Sequence, residues 1–351
     1  MQSTIEKVAR KAGTSKASVS RYFNPSERNF LSLELQEKIH KAAGDEAYKP
    51  REYHPKKISK RKTYALGIMV PFSEDIAESP YHRQLFRGII AAVKESSYDL
   101  KLLPVRDEDY SNIRRLLQKH LVDGLLVLTW RSHPNLINLV QVCSTPFPIM
   151  LFNDYDSAVQ VHFAYCDVFA GMEMAVYHLV EKGRERIAFL KGPSINRHGT
   201  EEHPICTESL DTRDKFEGFK KGMRASLLEI KDIWIKECAS YAKREGYEKV
   251  KEILTQQELP DAIICSNDEL AMGALDFLKE RNIRCPEDIA VIGFDGISEG
   301  AFTNPPLTSM KQPLRQMGYE GGKRLIDIAE GREMGLCHLR FQPTLITRTS
   351  A

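Results

Sequence analysis

Residues 4–21 read TIEKVARKAGTSKASVSR, the pattern of two short helices joined by a tight turn. Apolar side chains recur at helical spacing along the first half, at Ile5, Val8, Ala9 and Ala12. Gly13 permits a sharp turn, Ser15 can cap a second helix, and Ser32 can cap a third. Three helices in this order predict an all-α helix-turn-helix head, a unit that places its second helix in the major groove of DNA.

The charge of the chain is divided unevenly between its two ends. Residues 1–63 carry 15 Lys+Arg and 7 Asp+Glu, a net of +8, whereas the remainder carries 35 and 41, a net of −6. A basic head on an acidic body predicts that the head alone meets a polyanion. A solvated basic terminus fits the charge equally well, so the charge alone does not decide between the two interpretations. The helix pattern described above favours the DNA-binding one.

The predicted second helix offers short or cationic side chains that suit base edges and phosphates, namely Lys16, Ala17, Ser20 and Arg21. Over residues 4–21 the sequence resembles, without a gap, the head of the lactose-repressor/galactose-repressor (LacI/GalR) family of bacterial transcription regulators. The resemblance implies base contacts by Lys16, Ala17 and Arg21. It implies phosphate contacts by Ser15, Ser20 and Asn24. Thr4, which can cap the first helix, completes the DNA-binding candidates of the head.

Residues 51–63 form the predicted linker between the head (1–50) and the body (64–351). At this place the family usually has a hinge helix whose Leu is wedged into the minor groove. Here Pro55 opposes a helix interior, and Ile58 stands at the wedge position, which makes it a DNA-binding candidate. Two interpretations of the linker therefore stay open. It forms a hinge helix on DNA, or it is a solvated basic linker that is attracted to phosphates.

From residue 64 onward, short apolar strands alternate with helices. Strands are predicted at 64–71, 122–128, 147–152, 186–190, 262–265 and 290–294, with helices at 85–94 and 171–181. This alternation predicts an α/β body of two parallel-sheet lobes. Asn153, Asn267 and Asp295 follow three of the strands, and ligands of such sheets bind at the carboxyl ends of the strands. Asn and Asp are also common in turns, so each of these three residues fits a purely structural role as well.

Residues 259–274 and 285–295 are similar to two further stretches of the LacI/GalR family, so the resemblance spans nearly the whole chain. It implies a periplasmic-binding-protein-like body with effector contacts by Asn153, Tyr241, Asn267 and Asp295. Where the family commonly has an Arg, this chain has Lys215, with Arg213 two residues earlier, and both are effector-binding candidates. The loop from Pro193 to Asp211 is also longer than usual.

The sequence therefore predicts a transcription repressor controlled by a small-molecule effector, with a sugar or sugar derivative favoured. An activator, or a response to a non-sugar metabolite, stays open. We expect a homodimer on a palindromic double-stranded DNA operator, because two heads reading two half-sites multiply affinity.

Other classes of protein are not expected from this sequence. Catalysis is not expected, because no nucleotide-binding, serine-hydrolase or metalloprotease motif occurs. No cofactor or metal is expected, and the scattered cysteines are interpreted as free thiols. The chain has neither a long apolar run nor the pattern of a secretory signal, which predicts a cytoplasmic protein without a membrane anchor and argues against an exported sugar-binding protein.

Overall fold

The computed structural model describes residues 4–23, 31–46, 48, 62–71, 79–105, 121–128, 147–153, 155, 161–199, 204–333 and 335–351. The contacts between residues divide the chain into two compact units, one within residues 1–62 and one made of residues 63–140 and 147–351. Asn24, Ile58 and residues 51–61 of the predicted linker lie outside the described residues.

The first unit is a three-helix head consisting of α1 (Thr4–Lys11), α2 (Lys16–Tyr22) and α3 (Leu33–Asp45). Ser15 caps α2 by accepting a 3.1 Å hydrogen bond from the Ser18 amide, and Ser32 caps α3 in the same way from the Leu35 amide at 3.3 Å. Helix α1 begins at Thr4 itself. The helices enclose a core centred on Val8, Val19 and Ile39.

The second unit alternates strands and helices along the chain. Its elements are β1 (Ala65–Pro71), α4 (Pro80–Lys94), β2 (Asp99–Val105), β3 (Gly124–Val127), β4 (Ile149–Phe152), β5 (His162–Cys166), α5 (Val168–Glu181), β6 (Ile187–Lys191), β7 (Ile195–Gly199), β8 (Pro204–Glu208), α6 (Leu210–Ala225), β9 (Ile235–Glu237), α7 (Lys243–Ile253), β10 (Ala262–Cys265), α8 (Asp268–Glu280), β11 (Ala290–Asp295), β12 (Thr308–Lys311), α9 (Leu314–Ala329), β13 (His338–Phe341) and β14 (Thr344–Ile346). Short 3₁₀ segments occupy Asp232–Trp234 and Ser298–Phe302.

Twelve of these strands form two six-stranded sheets. The first has the order β13-β5-β4-β3-β1-β2, and every neighbouring pair in it is parallel. The second has the order β14-β12-β11-β10-β6-β9, and only the pairing of β14 with β12 is antiparallel. Strands β3, β4 and β10 are buried along their whole length, as parallel strands covered on both faces are. The predicted fold class, a helical head with a body of two parallel-sheet lobes, is confirmed.

Each sheet builds one lobe of the body. The first lobe holds α4 and α9 against the first sheet, and the second lobe holds α5, α6, α7 and α8 against the second. Glycines let α4 and α9 approach closely, because a Cβ at Gly88 would lie 2.0 Å from the Arg315 carbonyl oxygen and one at Gly318 would lie 2.1 Å from that of Leu85. The antiparallel hairpin β7-β8 fills much of the long loop that the sequence predicts between Pro193 and Asp211.

None of the helices in the described part of the chain combines the length and apolar character needed to cross a membrane.

Candidate functional site

Helix α2 exposes one polar face of the head. Val19 and Tyr22 of this helix are buried against the other two helices. Every DNA-binding candidate that the sequence places in this region is exposed, namely Ser15, Lys16, Ala17, Ser20 and Arg21. Lys16 Nζ contacts Glu6 Oε1, so this ion pair links the start of α2 to α1. The structure thus brings these five residues to one accessible surface.

A cleft of about 270 Å³ lies between the lobes of the body. The first lobe contributes residues from α4, from the ends of β4 and β5 and from β13, among them Tyr81, Asn153, Tyr155, Tyr165 and Arg340. The second lobe contributes the first turns of α5 and α6, among them Asp167, Phe169, Asp211 and Asp214. Gln312, which follows β12, completes the lining. Aromatic rings with a few convergent polar groups are typical of a small-molecule site.

Asn153 is the effector candidate that lines this cleft directly. It follows β4 with a φ of 67°, a left-handed conformation that Asn tolerates better than most residues. Tyr81 donates a hydrogen bond from its hydroxyl to Asn153 Oδ1, and Asn153 Nδ2 donates to the Leu128 carbonyl oxygen at 3.4 Å. These bonds hold the amide at the cleft wall.

Lys215 is buried behind the cleft wall, with 3% of its surface exposed. Its Nζ donates to the Ser266 carbonyl oxygen at 3.0 Å, pairs with Asp211 Oδ2 at 2.9 Å and lies 4.6 Å from the centre of the Phe294 ring. Burial opposes the charged form, but the carboxylates of Asp211 and Asp295 together raise the pKa of Lys215 above its ordinary value. Asp211 therefore lines the cleft, and Lys215 holds that carboxylate from behind.

Tyr241 and Asn267 support the same wall. The Tyr241 hydroxyl lies 3.0 Å from Thr212 Oγ1 and donates to Asp211 Oδ2 at 3.2 Å. Asn267 caps α8, because its Oδ1 accepts from the Leu270 amide at 2.9 Å, and its Nδ2 donates to the Tyr241 carbonyl oxygen at 3.2 Å. Tyr241 thus holds the Asp211 carboxylate directly, and Asn267 holds the backbone of Tyr241.

Asp295 ends β11 with a φ of 110°, and its Oδ1 accepts a 2.8 Å hydrogen bond from Nε2 of the cleft residue Gln312. Burial raises the pKa of Asp295 to about 8, with Lys215 opposing and Asp268 adding to the rise. Burial likewise raises the pKa of Asp268 to about 7, although Ser309 Oγ and the Ile297 amide donate to it at 2.5 and 2.7 Å. Two desolvated carboxyl groups therefore lie behind the cleft.

Arg213 is not brought to the cleft. It lines a second cavity of about 150 Å³ with Glu208 and Phe216, and its guanidinium pairs with Asp214 at 2.9 Å and with Glu208 at 3.4 Å. Sequence reasoning missed Tyr81, Asp167, Asp211, Asp214, Gln312 and Arg340 as cleft residues. A sequence signal existed for Asp211, because it stands four residues before Lys215, the spacing at which two side chains meet on one face of a helix.

Comparisons with known proteins agree with this geometry. The periplasmic binding protein-like domain family matches residues 176–351, half of the chain. The HTH-type transcriptional repressor PurR of Haemophilus influenzae strain PittEE is 29% identical, with 99% of this chain and 98% of that protein covered. The repressor of the same name from Pectobacterium atrosepticum is 27% identical, with 99% and 96% covered.

Solved structures share the architecture. A regulatory protein of the LacI family from Chloroflexus aggregans has a TM-score of 0.71 and 25% identity, with 82% of this chain and 98% of that chain covered. The regulator CelR in complex with cellobiose has a TM-score of 0.72 and 23% identity over the whole of both chains. The fold and cleft define a two-lobed periplasmic-binding-protein-like body joined to a helix-turn-helix head. The chain belongs to the LacI/GalR family of transcription regulators.

Proposed function

We propose that this protein is a sequence-specific DNA-binding repressor of transcription, controlled by a small molecule that binds in the cleft between the lobes. The observation that carries the proposal is the exposed face of α2, which offers Lys16, Ala17, Ser20 and Arg21 on a capped three-helix head. Side chains of this kind reach base edges and phosphates when a helix lies in the major groove. Relatives covering almost the whole chain are named as repressors.

The effector that we propose is a sugar or a sugar derivative. Hydroxyl-rich rings need hydrogen-bond partners along their edges and apolar faces beneath them, and the cleft supplies both through Asn153, Asp211, Gln312 and several tyrosines. A structural neighbour with the same fold, CelR, was solved with cellobiose. Because the effector would touch residues of both lobes, its binding energy favours one arrangement of the lobes over another.

The assembly that we propose is a homodimer on a palindromic operator. A single small head buries little surface on DNA, whereas two heads on two half-sites combine their affinities. The Lac repressor, a structural neighbour with a TM-score of 0.68 and 21% identity, was solved as a dimer bound to its operator. No catalytic step is part of the proposal.

Selection of binding sites from genomic DNA fragments tests the function. The purified full chain, free of ligand and at a stated salt concentration, should enrich a two-fold symmetric site. Arg21→Ala should weaken binding to that site by about 10- to 100-fold. Lys38→Ala is the matched control, because Lys38 is an exposed cation of the same head that pairs with Glu34 on α3. Failure to enrich any symmetric site, or equal losses in the two variants, would refute the proposal.

A further inference from the structure

The body begins with a stretch of backbone that is held by one carboxylate. The boundary between the two compact units falls between Lys62 and Thr63, so the last residue of the predicted linker belongs to the body. The Thr63 amide donates to both carboxylate oxygens of Asp123 at 3.0 Å, and the Tyr64 amide donates to Asp123 Oδ2 at 2.8 Å. Asp123 directly precedes β3, the neighbour of β1 in the first sheet. One partly buried side chain therefore holds the first two residues of the body.

Tyr64 is the residue at which the chain bends. Its φ of 50° lies in the left-handed region, which a residue other than Gly adopts at a cost in free energy. The Tyr64 carbonyl oxygen accepts a 2.7 Å hydrogen bond from the Asp99 amide at the start of β2. The Tyr64 ring packs edge to face on the buried Tyr98, with ring centres 5.6 Å apart. Contacts with the starts of β2 and β3 thus hold this costly conformation and fix the direction in which the chain enters β1.

The second lobe contains the same arrangement, but without a linker beside it. Asp261 directly precedes β10 and accepts hydrogen bonds from the amides of Glu185 and Arg186 at 3.3 and 3.0 Å. Its own amide donates to the Arg186 carbonyl oxygen at 2.9 Å, just as the Asp123 amide donates to that of Ala65 at 2.8 Å. The backbone that Asp261 holds follows α5 within the body. Of these two aspartates, Asp123 is the one that holds a residue of the linker.

The place of Asp123 in the chain gives its hydrogen bonds a consequence for DNA binding. A dimer that reads two half-sites gains affinity because the first bound head keeps the second head near its own half-site. This effective concentration falls when the connection between the heads permits more positions. Each linker meets the body at Thr63, so any freedom of the backbone at this residue is added to that of the linker. The same hydrogen bonds would pass a movement of the first lobe on to the linker.

We propose that Asp123 is a positioning residue for operator binding. By holding Thr63 and Tyr64, it fixes the point and the direction at which the linker meets the body, and thereby the spacing of the half-sites that the dimer reads. This inference rests on the proposed repressor function. It assigns to the Asp123 carboxylate no contact with DNA or with the effector.

Operators of altered spacing test the proposal on the purified full chain. The probes are the symmetric site enriched from genomic DNA and duplexes with one or two base pairs added to or removed from its centre. Each base pair changes the separation of the half-sites by about 3.4 Å and their relative rotation by about 35°. The parent protein should bind the natural spacing at least about tenfold more tightly than the altered ones. Asp123→Ala should bind the natural spacing about tenfold more weakly than the parent and all spacings within about threefold of one another.

Asp261→Ala is the matched control. It removes the equivalent hydrogen bonds from the second lobe, together with a 3.6 Å pair to Arg186, and should keep the spacing preference of the parent. Asp123→Asn should lose the preference only in part, because its amide oxygen still accepts a hydrogen bond from a backbone amide. All variants are compared at a temperature where they are folded, and Asp123→Asn carries the comparison if Asp123→Ala does not fold.

A spacing preference in the Asp123 variants equal to that of the parent would overturn the proposal. So would an equal loss of preference in Asp261→Ala, or a parent protein that binds every spacing equally well. In each of these cases the parent still enriches a symmetric site, so the proposed repressor function stands without the positioning role. Failure of the parent to enrich any symmetric site would mean that the proposed function has failed, and the role of Asp123 with it.

Discussion

Arg83 of α4 donates a 2.7 Å hydrogen bond from Nη2 to Glu299 Oε1, and this ion pair joins the two lobes of the body. Arg83 lies in the first turn of α4, two residues after the cleft residue Tyr81, and Glu299 lies in the 3₁₀ segment Ser298–Phe302 that follows β11. Both side chains are partly exposed. The pair therefore reports on whether the lobes are in contact at this point in solution.

A double-mutant cycle in denaturant unfolding measures that contact. Arg83→Ala and Glu299→Gln should show a coupling free energy of about 0.2–1 kcal/mol that declines as salt is added, because the pair is exposed to solvent. The Arg284–Asp288 pair, which lies within one lobe at 2.6 Å, provides the control cycle. Additive effects at the first pair, with coupling retained at the second, would mean that the lobes stand apart there.

Ser15→Ala and Ser32→Ala separate helix capping from contact with DNA. Each change removes an N-cap of the head and should lower its free energy of unfolding by about 0.5–2 kcal/mol. Only Ser15 lies beside the exposed face of α2, so only Ser15→Ala should also weaken operator binding, by about tenfold, at a temperature where both variants are folded. Calorimetric unfolding and operator titration give the two quantities. Equal operator affinities in the two variants would contradict the phosphate contact proposed for Ser15.

Much of the fold was predictable because its central strands are apolar on both faces. Each of the six strands that the sequence predicts is present, for example β3 as GLLV and β10 as AIIC. The missed strands carry polar residues and lie at or near sheet edges. Strand β13, HLRF, is an edge of the first sheet, and β12, TSMK, lies next to the edge of the second. Edge strands need fewer apolar residues, so their hydrophobic signal is weak.

The candidate site was predictable only in outline. Strand ends and the family resemblance indicated Asn153, Tyr241, Asn267 and Asp295. The structure places Asn153 on the first lobe's wall of the cleft and the other three behind the second lobe's wall. The different directions of Arg213 and Lys215 follow from helix geometry, because residues two apart do not share a face. That Lys215 is buried depends on Ser266 and Phe294, which come from distant parts of the chain and leave no local signal.

The raised pKa values of Asp295 and Asp268 predict a stability that falls as pH rises. Burial sets them at about 8 and about 7, above the ordinary value of 3.8, with Lys215 and Asp211 also facing Asp295. The folded state therefore binds protons more tightly than the unfolded chain, and the free energy of unfolding should decrease from about pH 4 to about pH 8. Urea unfolding at about pH 5.5, 7 and 8.5 measures this slope.

Asp295→Asn should make the slope less negative, because it removes a group whose raised pKa lies in this window. Asp288→Asn is the control, since Arg284 holds the pKa of this carboxyl group at about 2 and its titration ends below the measured range. An unchanged slope in Asp295→Asn would show that the carboxyl group of Asp295 is ionised in the folded state.

Lys215→Met tests the buried ion pair. The change leaves Asp211 without its buried partner and removes the positive charge facing Asp295, so the free energy of unfolding should fall by about 3 kcal/mol or more. Lys251→Met, which breaks an exposed pair with Glu248, should change it by less than about 0.5 kcal/mol. Adding Asp211→Asn to Lys215→Met should recover about 1 kcal/mol, because the unpaired charge is then removed with its partner. Asp211→Asn alone completes the cycle. If the double variant loses the sum of the two single losses, Lys215 and Asp211 are not energetically coupled and the cleft wall is held by packing alone.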